Sequence, residues 1–203
     1  AEVILICLEA LKSIHIKQMT LDLNLPFLRE YFLSSLANSM KEEINQAIDR
    51  KDQKTLKSLK FYNSETLIQF MECTGDYVHA TKYLSRLKLN RKLTQIRDHF
   101  LMVMNIIKRN KKSIKIFVDP LENKGFKYHT GLTFTVFSEL LKGEIAKGGR
   151  YKTLSNETAT GCTIYTEKIY NKSNPKNKNE LVYIPYLNMD EAESIIKKGY
   201  DIV

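Results

Sequence analysis

The stretch KGFKYHTGLTFTVFSELLKGEIAKGGRYKTLSNETATGCTIY, residues 124–165, decides how this chain is read. Only Gly75 precedes it, whereas Gly125, Gly131, Gly143, Gly148, Gly149 and Gly161 crowd into it. β-Branched and aromatic residues fill the intervals, so Phe126–Phe137, Gly143–Ala146 and Thr158–Tyr165 are expected as strands. Glycine between strands marks tight turns and close backbone approach, so a site is sought here first. Lys124–Gly131 is the densest polar-aromatic cluster of the chain. Strand alternation turns Phe126, Tyr128 and Thr130 to one face and Lys127 and His129 to the other. Tyr128 and His129 are candidates for binding a small polar ligand, although a lone strand histidine is more often an ordinary satisfied residue. The segment GEIAKGGRY, residues 143–151, has the outline of a phosphate loop but lacks the closing Gly-Lys-Ser/Thr. Two readings stand: a glycine-bounded turn that delivers Arg150 and Tyr151 to a pocket, or a plain hairpin with a surface arginine.

Working outward toward the N-terminus, Ile114–Val118 reads as a strand, and Leu89–Arg109 is the clearest helix of the chain. Its Leu93, Ile96, Phe100, Val103, Met104 and Ile107 trace one face, a stripe that belongs to a core. Short helical patterns, such as 41–49 and 64–73, run from Lys41 to about Leu87 and break around Gly75-Asp76. Leu25–Leu36 is helical, and Met19–Leu25 alternates as a half-buried strand closed by Pro26. Residues 1–16 repeat Val3, Ile4, Leu8, Leu11 and Ile14 at helical spacing. Toward the C-terminus, Asn171–Asn179 is a polar linker. It is followed by a strand (181–186), a helix (189–198) and a second strand (200–203). Such a β-α-β unit places its strands in parallel.

The whole chain of 203 residues is 43% hydrophobic and 27% charged, an ordinary globular composition. No uncharged apolar run approaches the ~18 residues of a membrane span. Val3–Leu8 lacks a preceding basic region, so it is not read as a signal peptide, and a cytoplasmic location is expected. Cys7, Cys73 and Cys162 are read as reduced thiols, with Cys7 and Cys162 as small core residues. The net charge of +9 comes mostly from lysine, which reports phosphate recognition poorly, so nucleic-acid binding is not expected. His15, His79 and His99 lie on separate elements, and neither a metal site nor a bound cofactor is expected. The acids are scattered and no G-x-S-x-G elbow occurs. The residues by themselves describe a basic α/β domain with a ligand pocket between 124 and 165.

In combination, KGFKYHTGLTF (124–134), GEIAKGGRYKTL (143–154) and ATGCTIYTEKI (159–169) resemble the second half of the histidyl-tRNA synthetase catalytic domain. In that family an RGLDYY-type strand and an AGGRYD turn line the histidine pocket, and a GFALGxER helix start holds ATP. AEVILICLEALK (1–12) and TLDLN (20–24) are similar to the stretch that follows motif 2 of the family. The segment 41–87 takes the place of its helical insertion. The implied fold is α+β: a class II aminoacyl-tRNA synthetase-like antiparallel sheet with flanking helices, lacking motifs 1 and 2. The implied organisation is a core over 1–170, a linker over 171–179 and a short C-terminal extension over 180–203. Departures accompany the likeness. The synthetase arginine that steadies carboxylate and phosphate falls on Lys124, and the motif 3 arginine that grips ATP falls on Lys168. Each change replaces a planar fork by a point charge. Tyr165 stands at the small motif 3 glycine, and Lys152 at the aspartate after GGRY.

The regulatory subunits of ATP phosphoribosyltransferase, a branch of the same family that keeps the histidine pocket without aminoacylation, are a better match. Their GFxYHTG strand is similar to Gly125–Gly131, and their ATGxTxY stretch to Ala159–Tyr165. Their short ending is similar to Leu181–Val203. This resemblance implies a non-catalytic subunit with no catalytic residues, required for activity and for histidine feedback in the first step of histidine biosynthesis. Its partner would be the short-form catalytic subunit, with self-association as a dimer inside a hetero-octamer and free histidine as ligand. Tyr128, His129 and Tyr151 would line the imidazole, Lys124 would face the carboxylate, and Gly161 would allow close approach. The competing expectations are a divergent synthetase-like enzyme that activates an amino acid with ATP, and a basic RNA-binding or structural module.

Overall fold

The computed structural model describes residues 1–123, 129–173, 181–182 and 201–202. The chain divides into two compact units, Ala1–Tyr165 and Thr166–Val203. The first is built on a six-stranded sheet in the order β2-β3-β1-β4-β5-β6. Its strands are β1 (Met19–Asn24), β2 (Gly75–Asp76), β3 (Lys115–Asp119), β4 (His129–Ser138), β5 (Gly143–Lys152) and β6 (Thr158–Ile164). β4, β5 and β6 form an antiparallel meander, and β1 joins β4 antiparallel. The antiparallel expectation needs one correction: β1 and β3 run parallel, Leu21 beside Ile116 and Leu23 beside Val118. A parallel neighbour requires a long crossover, and residues 25–114 supply it, mostly as helices.

Those helices are α2 (Phe27–Leu33), α3 (Asn38–Asp49), α4 (Gln53–Ser58), α5 (Ser64–Glu72), α6 (Tyr77–Leu84) and α7 (Arg91–Asn110), with α1 (Glu2–Ser13) preceding β1. Their starts are chemically marked. Asp52 accepts from the backbone N–H of Lys54 and Thr55 ahead of α4, and Asp76 accepts from His79 at α6. Asn90 does the same for Leu93 at α7. The expected stripe of α7 is buried at Leu93, Phe100, Val103, Met104 and Ile107, and α1 buries Ile4, Cys7, Leu8 and Leu11. Removing each such side chain from water contributes roughly 1.5–3 kcal/mol. The break expected around Gly75-Asp76 is a two-residue strand on the outer edge of β3.

Residues opposite one another across the strands share a face of the sheet. Leu21, Leu23, Phe134, Val136 and Ala146 make one face apolar and buried. Asp22, Thr135, Lys147 and Thr163 stand in register on the other. Read from its alternation, β1 is half-buried; in the fold Asp22 and Asn24 are buried as well. The Asn24 side chain donates to Asp22 and to the Asp119 carbonyl at 3.2 Å each, which makes that burial tolerable. Asp119 anchors the helical crossover to the sheet by accepting from Lys51 and from the Thr74 hydroxyl.

The second unit begins with α8 (Thr166–Ser173), which runs three residues into the stretch expected as a linker. It also contains a parallel pair, β7 (Leu181–Val182) and β8 (Asp201–Ile202). The helix expected over 189–198 lies outside the described residues.

Candidate functional site

GGRY lies within β5, a strand of the antiparallel β5–β6 hairpin, so the glycine-bounded turn is not formed there, while the reading as a hairpin with a surface arginine fits the exposed Arg150. Glycine weakens a strand in isolation, yet here the strand cannot accept a side chain. A Cβ on Gly148 would lie 2.2 Å from the Gly161 carbonyl oxygen of β6, and one on Gly149 2.6 Å from His129 Cδ2. The pair of glycines thus lets β5 seat β6 on one side and the His129 ring on the other. A register shift between His129 and Thr133 marks a bulge in β4 that re-aims His129.

Beyond the bulge, His129 pairs across to Tyr151, and Gly149 to Gly161. The His129 and Tyr151 rings meet edge-on, 75° apart in plane with centroids at 6.2 Å. His129 is buried, and Tyr151 is half-buried. At Gly161 a Cβ would touch only Tyr151 Cε1 and its hydroxyl, both at 3.7 Å, so the missing side chain leaves usable room in front of the phenol ring. A cavity of 280 Å³ opens here, lined by His129, Lys147, Gly148, Tyr151, Gly161, Cys162 and Thr163. That is near the lower end of small-molecule sites, which span about 300–1,000 Å³. Lys147 brings the positive charge, its Nζ 5.7 Å above the Tyr165 ring centroid. Two aromatic edges, one ammonium and an open backbone suit a small ring-bearing carboxylate.

Of the five residues expected to bind, the fold therefore gathers His129, Tyr151 and Gly161, while Lys124 and Tyr128 lie outside the described residues. Arg150 does not accompany Tyr151. Adjacent residues of a strand point oppositely, and Arg150 lies on the other face with Thr160. Lys147 and Thr163 escaped the reading of the residues, because nothing in KGG or GCT marks them until the register is known. The alternation Thr133, Thr135, Lys147, Thr163 is the signal that a correct β5 would have exposed. Among the described residues no three His, Cys, Asp or Glu side chains gather as a metal site. No described helix is long and apolar enough to cross a membrane.

Cys162 corrects a second expectation. It is exposed, whereas Cys7 and Cys73 are buried. β6 is the last strand of the sheet, and its short, alternating residues are mostly exposed rather than core. Burial, then the neighbouring Cys162, pushes the Cys7 thiol up to about 12. Burial, then the charge of Glu72, raises Cys73 to about 12. Both thiols stay protonated and shielded at about pH 8, where a thiolate is needed for attack. A disulfide reagent such as Ellman's should accordingly modify one thiol per native chain rapidly, and Cys162→Ser should remove that phase. Rapid reaction of two or more thiols in the native protein would contradict this arrangement.

The family described as Histidyl-tRNA synthetase matches residues 1–169. A curated relative from Paramagnetospirillum magneticum, named ATP phosphoribosyltransferase regulatory subunit, is 30% identical over 171 residues. Those residues cover 83% of this chain and 45% of the relative. One of the same name from Gluconobacter oxydans is 26% identical over 206 residues, covering 100% of this chain and 54% of that protein. The chain thus spans about half the length of the curated relatives it matches. Among solved structures, an ATP phosphoribosyl transferase (HisG:HisZ) complex from Thermotoga maritima superposes with TM-score 0.62 at 18% identity. The match covers 80% of this chain and 59% of that one. A histidyl-tRNA synthetase from Nostoc gives 0.60 at 16% identity, covering 98% and 55%. At these identities the structures speak to the fold: a class II synthetase-like α+β core.

Proposed function

The chain belongs to the histidyl-tRNA synthetase family, and from that premise we propose that it acts as the regulatory, non-catalytic subunit of a cytoplasmic ATP phosphoribosyltransferase, binding free histidine. The observation that carries the reading is the convergence of His129, Tyr151 and Gly161 on one cavity from three strands. Of the relatives it matches, those from Paramagnetospirillum magneticum and Gluconobacter oxydans bear the regulatory-subunit name. In this reading the imidazole of the ligand enters between the His129 and Tyr151 edges, over the bare backbone of Gly161. Tyr128 would complete the aromatic wall. Lys124 would hold the carboxylate, and Lys147 adds positive charge to the same cavity. The core would extend over 1–170, with 171–179 linking it to the extension over 180–203.

Loss of catalysis follows from charge geometry. Activation of an amino acid with ATP concentrates anionic charge on a planar carboxylate and on phosphates, which a guanidinium clamps with two parallel hydrogen bonds and an ammonium meets only as a point charge. Lysine stands at both positions where the family has those arginines, Lys124 and Lys168. A pocket that binds but does not react can still bias the arrangements of an assembly, because ligand affinity differs between them. The proposed assembly contains the short-form catalytic subunit and a dimer of the present protein.

Calorimetric titration with histidine, with ATP as the parallel ligand, tests this reading. The expected result is saturable histidine binding and no heat from ATP. ATP binding together with histidine-dependent pyrophosphate exchange would instead identify an amino-acid-activating enzyme. Affinity for RNA that falls steeply with salt, with no response to histidine, would identify a nucleic-acid module.

A further inference from the structure

The apolar face of the sheet carries a second cavity, of 370 Å³, directly behind the strands that form the first. Its body is apolar, walled by Ile4 of α1, Ile96, Phe100 and Val103 of α7, and Phe134 of β4. Its rim is basic, with Arg150 on β5 and Lys92 and His99 on α7. Among the described residues no Asp or Glu lines it. Arg150 is set there by its neighbour: a Cβ on Gly131 would fall 3.0 Å from Arg150 Cβ and 3.3 Å from Cδ. The bare Gly131 backbone therefore carries the arginine stem. Among the described residues the Arg150 guanidinium makes no hydrogen bond or ion pair with protein, so its five donors stand open to a ligand at the edge of the apolar hollow. A planar guanidinium at the mouth of an apolar hollow matches a carboxylate on an apolar body, through two parallel hydrogen bonds.

We propose that this back-face cavity is a second ligand site, which takes a small amphiphile with an apolar body and a single carboxylate. The body fills the space between Phe100, Val103 and Phe134, and the carboxylate is held by Arg150. The volume lies within the range of small-molecule sites, about 300–1,000 Å³. Among the residues lining the two cavities, no side chain is shared: Tyr151 and Gly161 serve the front, Arg150 and Thr160 the back. The two ligands would therefore be held by different side chains, and histidine in front is not expected to displace the acid behind.

The probe is 3-phenylpropionate, with uncharged 3-phenylpropanamide as its isostere, each titrated calorimetrically into the full chain. The acid should bind with Kd at or below about 1 mM and the amide at least tenfold more weakly. Arg150 is exposed, so Arg150→Gln should leave the fold intact while bringing the acid down to the affinity of the amide. Ile96→Trp should fill the hollow and abolish both. Equal binding of acid and amide, an acid affinity unchanged in Arg150→Gln, or displacement of the acid by histidine would overturn the proposal. So would absence of binding at about 10 mM probe, beyond the range expected for a ligand of this size.

Discussion

Gly148→Ala is expected to destabilise the protein by about 3 kcal/mol, more than any other single methyl added to the sheet. The new Cβ would sit 2.2 Å from the Gly161 carbonyl oxygen and 2.8 Å from Cys162 Cα. Both obstacles are backbone, so no rotamer change relieves them. β5 and β6 must separate at the pairing of Gly148 with Cys162, an interior rung, third of the seven in the ladder. A thermal melt reads this as a fall of about 6–12 °C in Tm for a chain of this size. The internal comparison is Gly131→Ala. There the nearest atom is Arg150 Cβ at 3.0 Å, fixed by its own backbone, while Cγ and Cδ beyond it can swing away, so the same methyl should cost less, about 1–2 kcal/mol. A Gly148→Ala protein that melts within about 2 °C of the parent would show that β6 is not held as closely as described.

Gly148 and Gly149 explain where reading the residues succeeded and where it stopped. Amphipathic spacing is a local signal, and α1, α7 and β1 were legible because one face of each meets the core all along its length. β5 was expected to end at Ala146 because Gly148-Gly149 argues for a turn by propensity alone. The strand continues to Lys152 because β6 and His129 approach so closely that only glycine fits, a tertiary demand with no local trace. That one boundary had consequences for chemistry. With β5 cut short, one of the two readings is a turn that delivers Arg150 and Tyr151 together to a pocket. With β5 whole, they part to opposite faces, Lys147 and Thr163 join Tyr151, and Arg150 belongs to a cavity that the residues in order do not suggest. His129, Tyr151 and Gly161 were placed together by family resemblance, since 32 positions separate His129 from Gly161 and no spacing rule links them.

Gly161→Ala separates binding from folding in the front cavity. The added Cβ would meet only Tyr151, at 3.7 Å from Cε1 and from the hydroxyl, an ordinary contact that requires no shift of backbone. Replacing glycine by alanine within a strand also reduces the entropy lost on folding, by roughly 0.5–1 kcal/mol. Tm should accordingly stay level or rise by a few degrees. The methyl, however, occupies the space in front of the Tyr151 ring where the proposed imidazole would lie. Overfilling a fitted site costs about 1–3 kcal/mol, so histidine affinity should fall roughly 5- to 150-fold. Tyr151→Ala removes the opposing wall, and the two changes together should be less than additive because they act on one contact. Calorimetry on the two single variants and the double variant measures all three quantities. A Gly161→Ala protein that folds normally and binds histidine with parental affinity would place the ligand away from β6 and end the assignment of Gly161, whatever else the chain binds.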